Sequence, residues 1–205
     1  MQLESTLSKI IYVSCLTISL TALGGWAVLA HQDAPSGMTE QSKAEMKDAR
    51  FVHDAALGNM AEIQLGRLAA ERGGSDVVKA FGERMIVQHG SMADQLKAAA
   101  QKENVALPGK LSSRDQQTYD RLAHLSGSPF DRAYAQNMVD DHQKDLAAFQ
   151  MEANIGKDET FRTFADQSLP TIQEHLNQAR EVLKTVSQTS SHTSAYRSAG
   201  RSPGQ

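Results

Sequence analysis

The stretches 81–96, FGERMIVQHGSMADQL, and 134–149, YAQNMVDDHQKDLAAF, share one order of side chains: an aromatic, a methionine, then a histidine, at helical spacing. At about 100° per residue, Phe81, Met85, Met92 and Leu96 fall on one stripe with His89 at its margin. Tyr134, Met138, Asp145 and Phe149 do the same around His142. A chain with two such segments must fold as helices that bury these stripes, and each stripe carries a histidine toward the core. No window shows sustained strand alternation between hairpin signals, so the expected class is all-α.

Helix breakers divide the chain. Gly73-Gly74, Leu107-Pro108-Gly109, Gly127 with Pro129, and Gly156 separate predicted helices at about 48–72, 76–104, 112–125, 129–155 and 158–187. Ser75 or Asp76 and Ser112 or Ser113 are the expected N-caps of the second and third, and Pro170 predicts a kink or break in the fifth. Four long helices and one short one suggest an antiparallel four-helix bundle over 48–187, with the extra short helix in the crossover. GRLAAERGG and DRLAHLSG align Arg67-Leu68-Ala69 with Arg121-Leu122-Ala123, as either a duplication or ordinary helix-turn-helix grammar would produce.

Residues 10–30 carry no charge, and Val28 and Ala30 supply the small residues of a cleavage site, so 1–30 reads as a signal peptide cut after Ala30. The uncharged run is also long enough to cross a bilayer, which makes an uncleaved anchor the competing reading. The expected location is the periplasm or outer envelope, or the inner membrane if 10–30 is kept. Segment 31–47 reads as a polar linker and 188–205, rich in Ser, Gly and Pro, as a disordered tail. The single cysteine, Cys15, lies in the apolar run, which leaves the processed chain no thiol chemistry, zinc knuckle or iron–sulfur cluster. A formal net charge of −3 and no basic run exclude nucleic acid as a partner.

What remains is histidine, methionine and carboxylate chemistry. His89, His142 and His175 lie on three different predicted long helices, and Glu62 sits inside the apolar stripe of the first, where a lone carboxylate is costly unless paired, protonated or metal-bound. Brought to one level, the four make a three-nitrogen, one-oxygen set suited to a transition metal such as copper, iron or zinc. Met85 and Met138, each one turn before its histidine, add sulfur that copper(I) prefers. The same residues also read as packing: core-rim histidines bonded to carbonyls, Glu62 paired with Arg67 or Arg132, and methionine as core filler. Asp140, Asp141 and Asp145 either orient the His142 ring or form a solvated face. His31, His53, His124 and His192 lie off the stripes or in expected coil and take no role.

FVHDAALGNMAEIQLGRLA, the Met85 to His89 segment, SGSPFDRAYAQNMVDDH and SLPTIQEHL, in that order over about 48–186, resemble the family called domain of unknown function 4142. Its members are commonly labelled outer-membrane or exported proteins and grouped with ferritin-like bundles. The resemblance implies a ferritin-like core and export, and no reaction. The positions it matches are Glu62, His89, His142 and His175; Gln88 and Gly90 flank His89 where members more often show Asp and Ser. The carboxylate set of a di-iron site is absent, since the residues three before the histidines are Ile86, Val139 and Ile172. The chain therefore reads as a binding protein rather than an enzyme, with a structural module of the envelope as the alternative.

Overall fold

The computed structural model describes residues 39–199, with side chains to residue 189. The expected signal peptide or anchor, and the linker up to residue 38, lie outside the described residues. Five helices follow in order, α1 Glu40–Arg72, α2 Asp76–Lys102, α3 Ser113–Ala123, α4 Gly127–Ile155 and α5 Glu159–Ala199, and no strand forms among the described residues.

Two boundaries differ from expectation. Helix α1 starts at Glu40, inside the segment 31–47 read as linker. The Thr39 hydroxyl accepts from Ser42 N (3.2 Å), Lys43 pairs with Glu40 (2.8 Å) and Gln41 reaches Glu45 (2.9 Å). A cap and pairs one turn apart hold these turns, without an apolar period to reveal them. Helix α5 continues through Pro170 without a break and past 187 into the segment expected to be disordered. Pro170 lies on the exposed face, as does Asp166, whose carbonyl loses its partner there. Thr185 and Thr189 bond back to the carbonyls of Glu181 and Thr185.

Helix α1 packs mainly on α2 and α4 mainly on α5, and these two hairpins meet along α1–α4 and α2–α5. Gly66 and Gly82 set the α1–α2 approach: a Cβ on either would lie 2.7 or 2.6 Å from the other's carbonyl oxygen. The hairpins brace each other reciprocally. Asp48 of α1 accepts from Lys157 N and Asp158 N in the α4–α5 turn (2.9 and 2.7 Å), and Asp131 of α4 accepts from Gly74 N in the α1–α2 turn (2.7 Å). Helix α3 links the hairpins, capped by Ser112, and buries Leu122.

The core divides into two apolar clusters. One joins Leu65, Leu68, Phe81, Met85, Phe130, Tyr134, Met138 and Val182; the other joins Phe51, Met92, Leu96, Phe149, Phe161, Phe164 and Ile172. Phe81, Met85, Met92, Leu96, Tyr134, Met138 and Phe149, the apolar residues of the two stripes, are all buried, as are Phe130, Phe161 and Phe164. Each cluster takes one half of every long helix, so neighbouring helices run in opposite directions. Between the clusters lies a polar layer.

Candidate metal centre

Each long helix crosses this layer where its apolar stripe is interrupted. Helix α1 contributes Asn59 and Glu62, α2 His89, α4 His142 and α5 His175, and all five are between 0% and 3% exposed. The imidazole centroids are 5.5 Å apart for His89 and His142, 5.0 Å for His89 and His175, and 5.2 Å for His142 and His175. Each ring can offer one nitrogen such that the three lie within 4.8 Å of one another.

The hydrogen bonds decide which nitrogen of each ring is free to ligate. His142 Nδ1 lies 2.8 Å from the Met138 carbonyl, which only accepts, so the proton is on Nδ1 and Nε2 carries a lone pair. His89 Nδ1 donates to Asn59 Oδ1 at 3.0 Å, which likewise leaves Nε2 bare. The two bare Nε2 atoms face each other at 3.4 Å. His175 is turned over: its Nε2 donates to Gln88 Oε1 at 2.6 Å, and its buried Nδ1 has no partner. Each ring thus keeps one bare nitrogen, and among the described residues no donor meets the close pair of Nε2 atoms or His175 Nδ1. Dispensing with a cation would require Asn59 to reverse its amide and His89 to carry its proton on Nε2, and His175 Nδ1 would still be orphaned.

Protonation is a poor alternative to a cation. Burial pushes His89 well below the ordinary histidine range, and His142 and His175 add to the shift. Burial also lowers His142, against smaller opposing effects of Asp145, the Met138 carbonyl and Asp141. His175 is pushed down to about 3 by burial, then by His142 and Arg84. All three rings are neutral at pH 7, the form that ligates metal.

Glu62 lies beside the set. Its Oε2 is 3.9 Å from His89 Nε2 and its Oε1 3.7 Å from His142 Nδ1, but no oxygen of it joins the group that includes His175. Oε2 has no hydrogen-bond partner, and burial, with Asp141 and Asp115, raises the carboxyl well above its usual range. Its close nitrogen neighbours are the two histidines, while Arg67 is exposed. The aspartates that were candidates to orient His142 do not do so: Asp140 bonds Gln136, and Asp141 bonds Asn137 and Lys144. Met85 and Met138 are fully buried in the cluster that abuts the layer. His53 is exposed beside Asp54, and His124 closes α3 on the Asp120 carbonyl.

Two contributors escaped sequence reading. Asn59 and Gln88 orient His89 and His175, and the one signal for Asn59 was a second polar residue one turn before Glu62 on the same stripe.

The sequence model of the family described as Domain of unknown function (DUF4142) matches residues 33–182. No curated protein matches the chain. Among solved structures, a DUF305 fragment from Deinococcus radiodurans is similar, with a TM-score of 0.60 and 14% identity over 68% of this chain and 96% of that one. At that identity the likeness is one of fold.

Proposed function

The chain belongs to the DUF4142 family, a domain of unknown function, and from that premise we propose that it is an exported helical-bundle protein that holds one transition-metal ion. His89 Nε2, His142 Nε2 and His175 Nδ1 are the nitrogen ligands, and Glu62 supplies a carboxylate oxygen. The observation that carries this reading is that three fully buried rings can each bring one nitrogen within 4.8 Å of the others, while the buried His175 Nδ1 has no hydrogen-bond partner. Two acceptors 3.4 Å apart repel each other, and in a medium of low polarity that repulsion is large unless a cation separates them. Imidazole sets of this kind suit zinc, copper and iron. The ring orientations support the same reading, since each ring has its other nitrogen tied to an oxygen, the usual arrangement for metal-bound histidine.

Two hairpins joined through α3 support the architecture read from sequence, a ferritin-like antiparallel four-helix bundle with an extra short helix in the crossover. The aliphatic residues Ile86, Val139 and Ile172 stand where a di-iron site would carry glutamates, which favours holding or carrying an ion over oxidising one. Export rests on the uncharged run 10–30 and its Val28-Leu29-Ala30 end. Elemental analysis of untagged protein purified from the envelope should find about one ion per chain. His142→Ala should carry none while keeping its helical circular dichroism. Wild-type protein free of metal after purification and after titration with zinc would overturn the reading. The mature N-terminus should be His31; a chain that begins at Met1 and resists salt washing would establish the anchor instead.

A further inference from the structure

The two hairpins are built to one plan. Residues 83 apart in the chain correspond, so that Asp48 and Asp131, Phe51 and Tyr134, Asn59 and His142, and Phe81 and Phe164 are buried in pairs. The braces keep the same spacing: Gly74 N, which donates to Asp131, stands 83 residues before Lys157 N, which donates to Asp48. Gly73 N closes α1 on the Ala69 carbonyl (2.9 Å), and Gly156 N closes α4 on that of Glu152 (2.8 Å).

The two turns differ in charge. Where the α1–α2 turn has Ala69 and Ser75, the α4–α5 turn has Glu152 and Asp158. Ala69 is fully buried, so a turn of this plan closes without a carboxyl at that place. Glu152 is nonetheless buried too, and its Oε1 has no hydrogen-bond partner. The carboxyl lies against the turn itself, because a Cβ on Gly156 would collide with Oε1. On the α1 side stands the buried Asp48, which holds Lys157 N and Asp158 N through one oxygen. On the α5 side Asp158 caps the helix, accepting from Thr160 N (2.8 Å) and Phe161 N (3.1 Å), and α2 brings Glu103 to the Thr160 hydroxyl (2.6 Å). None of Asp48, Glu152 and Asp158 forms an ion pair among the described residues, and the cation that acts on Glu152 is Arg162, exposed on α5. Burial, then Asp48 and Asp158, push the Glu152 carboxyl up to about 7.

We propose that Glu152 makes the α4–α5 brace a pH-sensitive latch, closed while its carboxyl is neutral and loosened when ionisation sets a further negative charge beside Asp48 and Asp158. A buried carboxylate with no cation in contact is costly, and opening the turn to water relieves it. A carboxyl whose folded value is raised keeps its contribution in acid and loses it as pH climbs through that value, so the latch is tight at low pH and slack at high pH. The α1–α2 brace has Ala69 in the corresponding place and lacks this dependence, which makes it an internal control.

Site-resolved hydrogen exchange of the purified protein tests the latch, read as protection factors so that the intrinsic pH dependence of exchange drops out. From about pH 5.5 to about pH 8.5, protection of the Lys157 and Asp158 amides should fall about 30-fold, the ratio expected when a carboxyl of about 7 in the closed turn returns to 4.5 on opening. Protection of the Gly74 amide should stay constant. Glu152→Gln, close to isosteric and neutral, should hold the Lys157 and Asp158 amides equally well at both ends of the range. Glu152→Ala, which gives this turn the residue found at position 69, should also abolish the dependence. Constant wild-type protection at Lys157 and Asp158, an equal fall at Gly74, or the same fall in Glu152→Gln would each overturn the latch. Protection restored at high pH by calcium(II) alone would make the three carboxyls a cation site and overturn it as well.

Discussion

Phe149 and His142 lie two turns apart on α4, equally out of reach of water, in surroundings of opposite kind. The Phe149 ring is enclosed by Phe51 and Phe164, with centroids 4.9 and 5.7 Å away, and every contact it makes is one its chemistry favours. His142 stands among groups whose polar needs are unmet: Glu62 Oε2, Asn59 Nδ2 and His175 Nδ1 all lack partners. The apolar ends of the bundle stabilise the fold, and the layer between them gives stability up. A layer that costs free energy in the metal-free protein is what a binding site looks like before its ligand arrives.

The comparison can be broken from either side. Phe149→Ala should have the largest effect, a loss of about 3–5 kcal/mol by denaturant titration, because the three-ring cluster cannot collapse around the cavity. The ion stoichiometry should stay at one. A loss below about 1 kcal/mol would mean that the apolar end is not the stabilising region it is taken to be. Zinc at 100 times its dissociation constant should raise wild-type stability by about 2.7 kcal/mol through linkage. The same zinc should leave the melting temperature of His142→Ala unmoved.

A third test uses pH at the edge of the apolar end. Burial, with Asp48 and Asp158, raises Glu152 to about 7. A carboxyl raised on folding holds its proton more tightly in the native state, so its contribution is most favourable at low pH and is lost as pH climbs from the unfolded value near 4.5 through 7. Glu152→Gln should remove a decline on the order of 2 kcal/mol across that window. Identical pH profiles for the two proteins would contradict the assignment. The smallest effect expected is at Glu62. Replacing it with Leu should stabilise the metal-free protein by about 1 kcal/mol, since a buried, poorly satisfied carboxyl gives way to apolar packing. It should also weaken metal binding. Destabilisation instead would show that Glu62 is held by His89 and His142 as a structural pair.

Much of this architecture is legible in the chain, and the exceptions have physical reasons. The long helices are readable because Phe81, Met85, Met138 and Phe149 recur at helical period and glycine or proline punctuates them. The first two turns of α1 are not, because a Thr39 cap and pairs such as Lys43 with Glu40 leave no periodic trace. The disorder expected after 187 rested on composition, yet α5 runs on to Ala199. His89, His142, His175 and Glu62 stand out as polar residues on apolar stripes, but their heights along the bundle axis do not. Asn59 and Gln88 are ordinary polar residues until the histidines they hold are in place.

The sequence by itself determined which side chains face inward, because the angle between residues on a helix is a local property of the backbone. It likewise determined the family, through an ordered series of short motifs. Only the tertiary structure decided that the interruptions on four helices fall in one layer. That depends on how the Gly66–Gly82 contact sets α1 against α2 and how Asp48 and Asp131 lock one hairpin against the other. It also decided which nitrogen each histidine offers, because the proton follows a hydrogen-bond partner, and for His89 and His175 that partner lies on another helix.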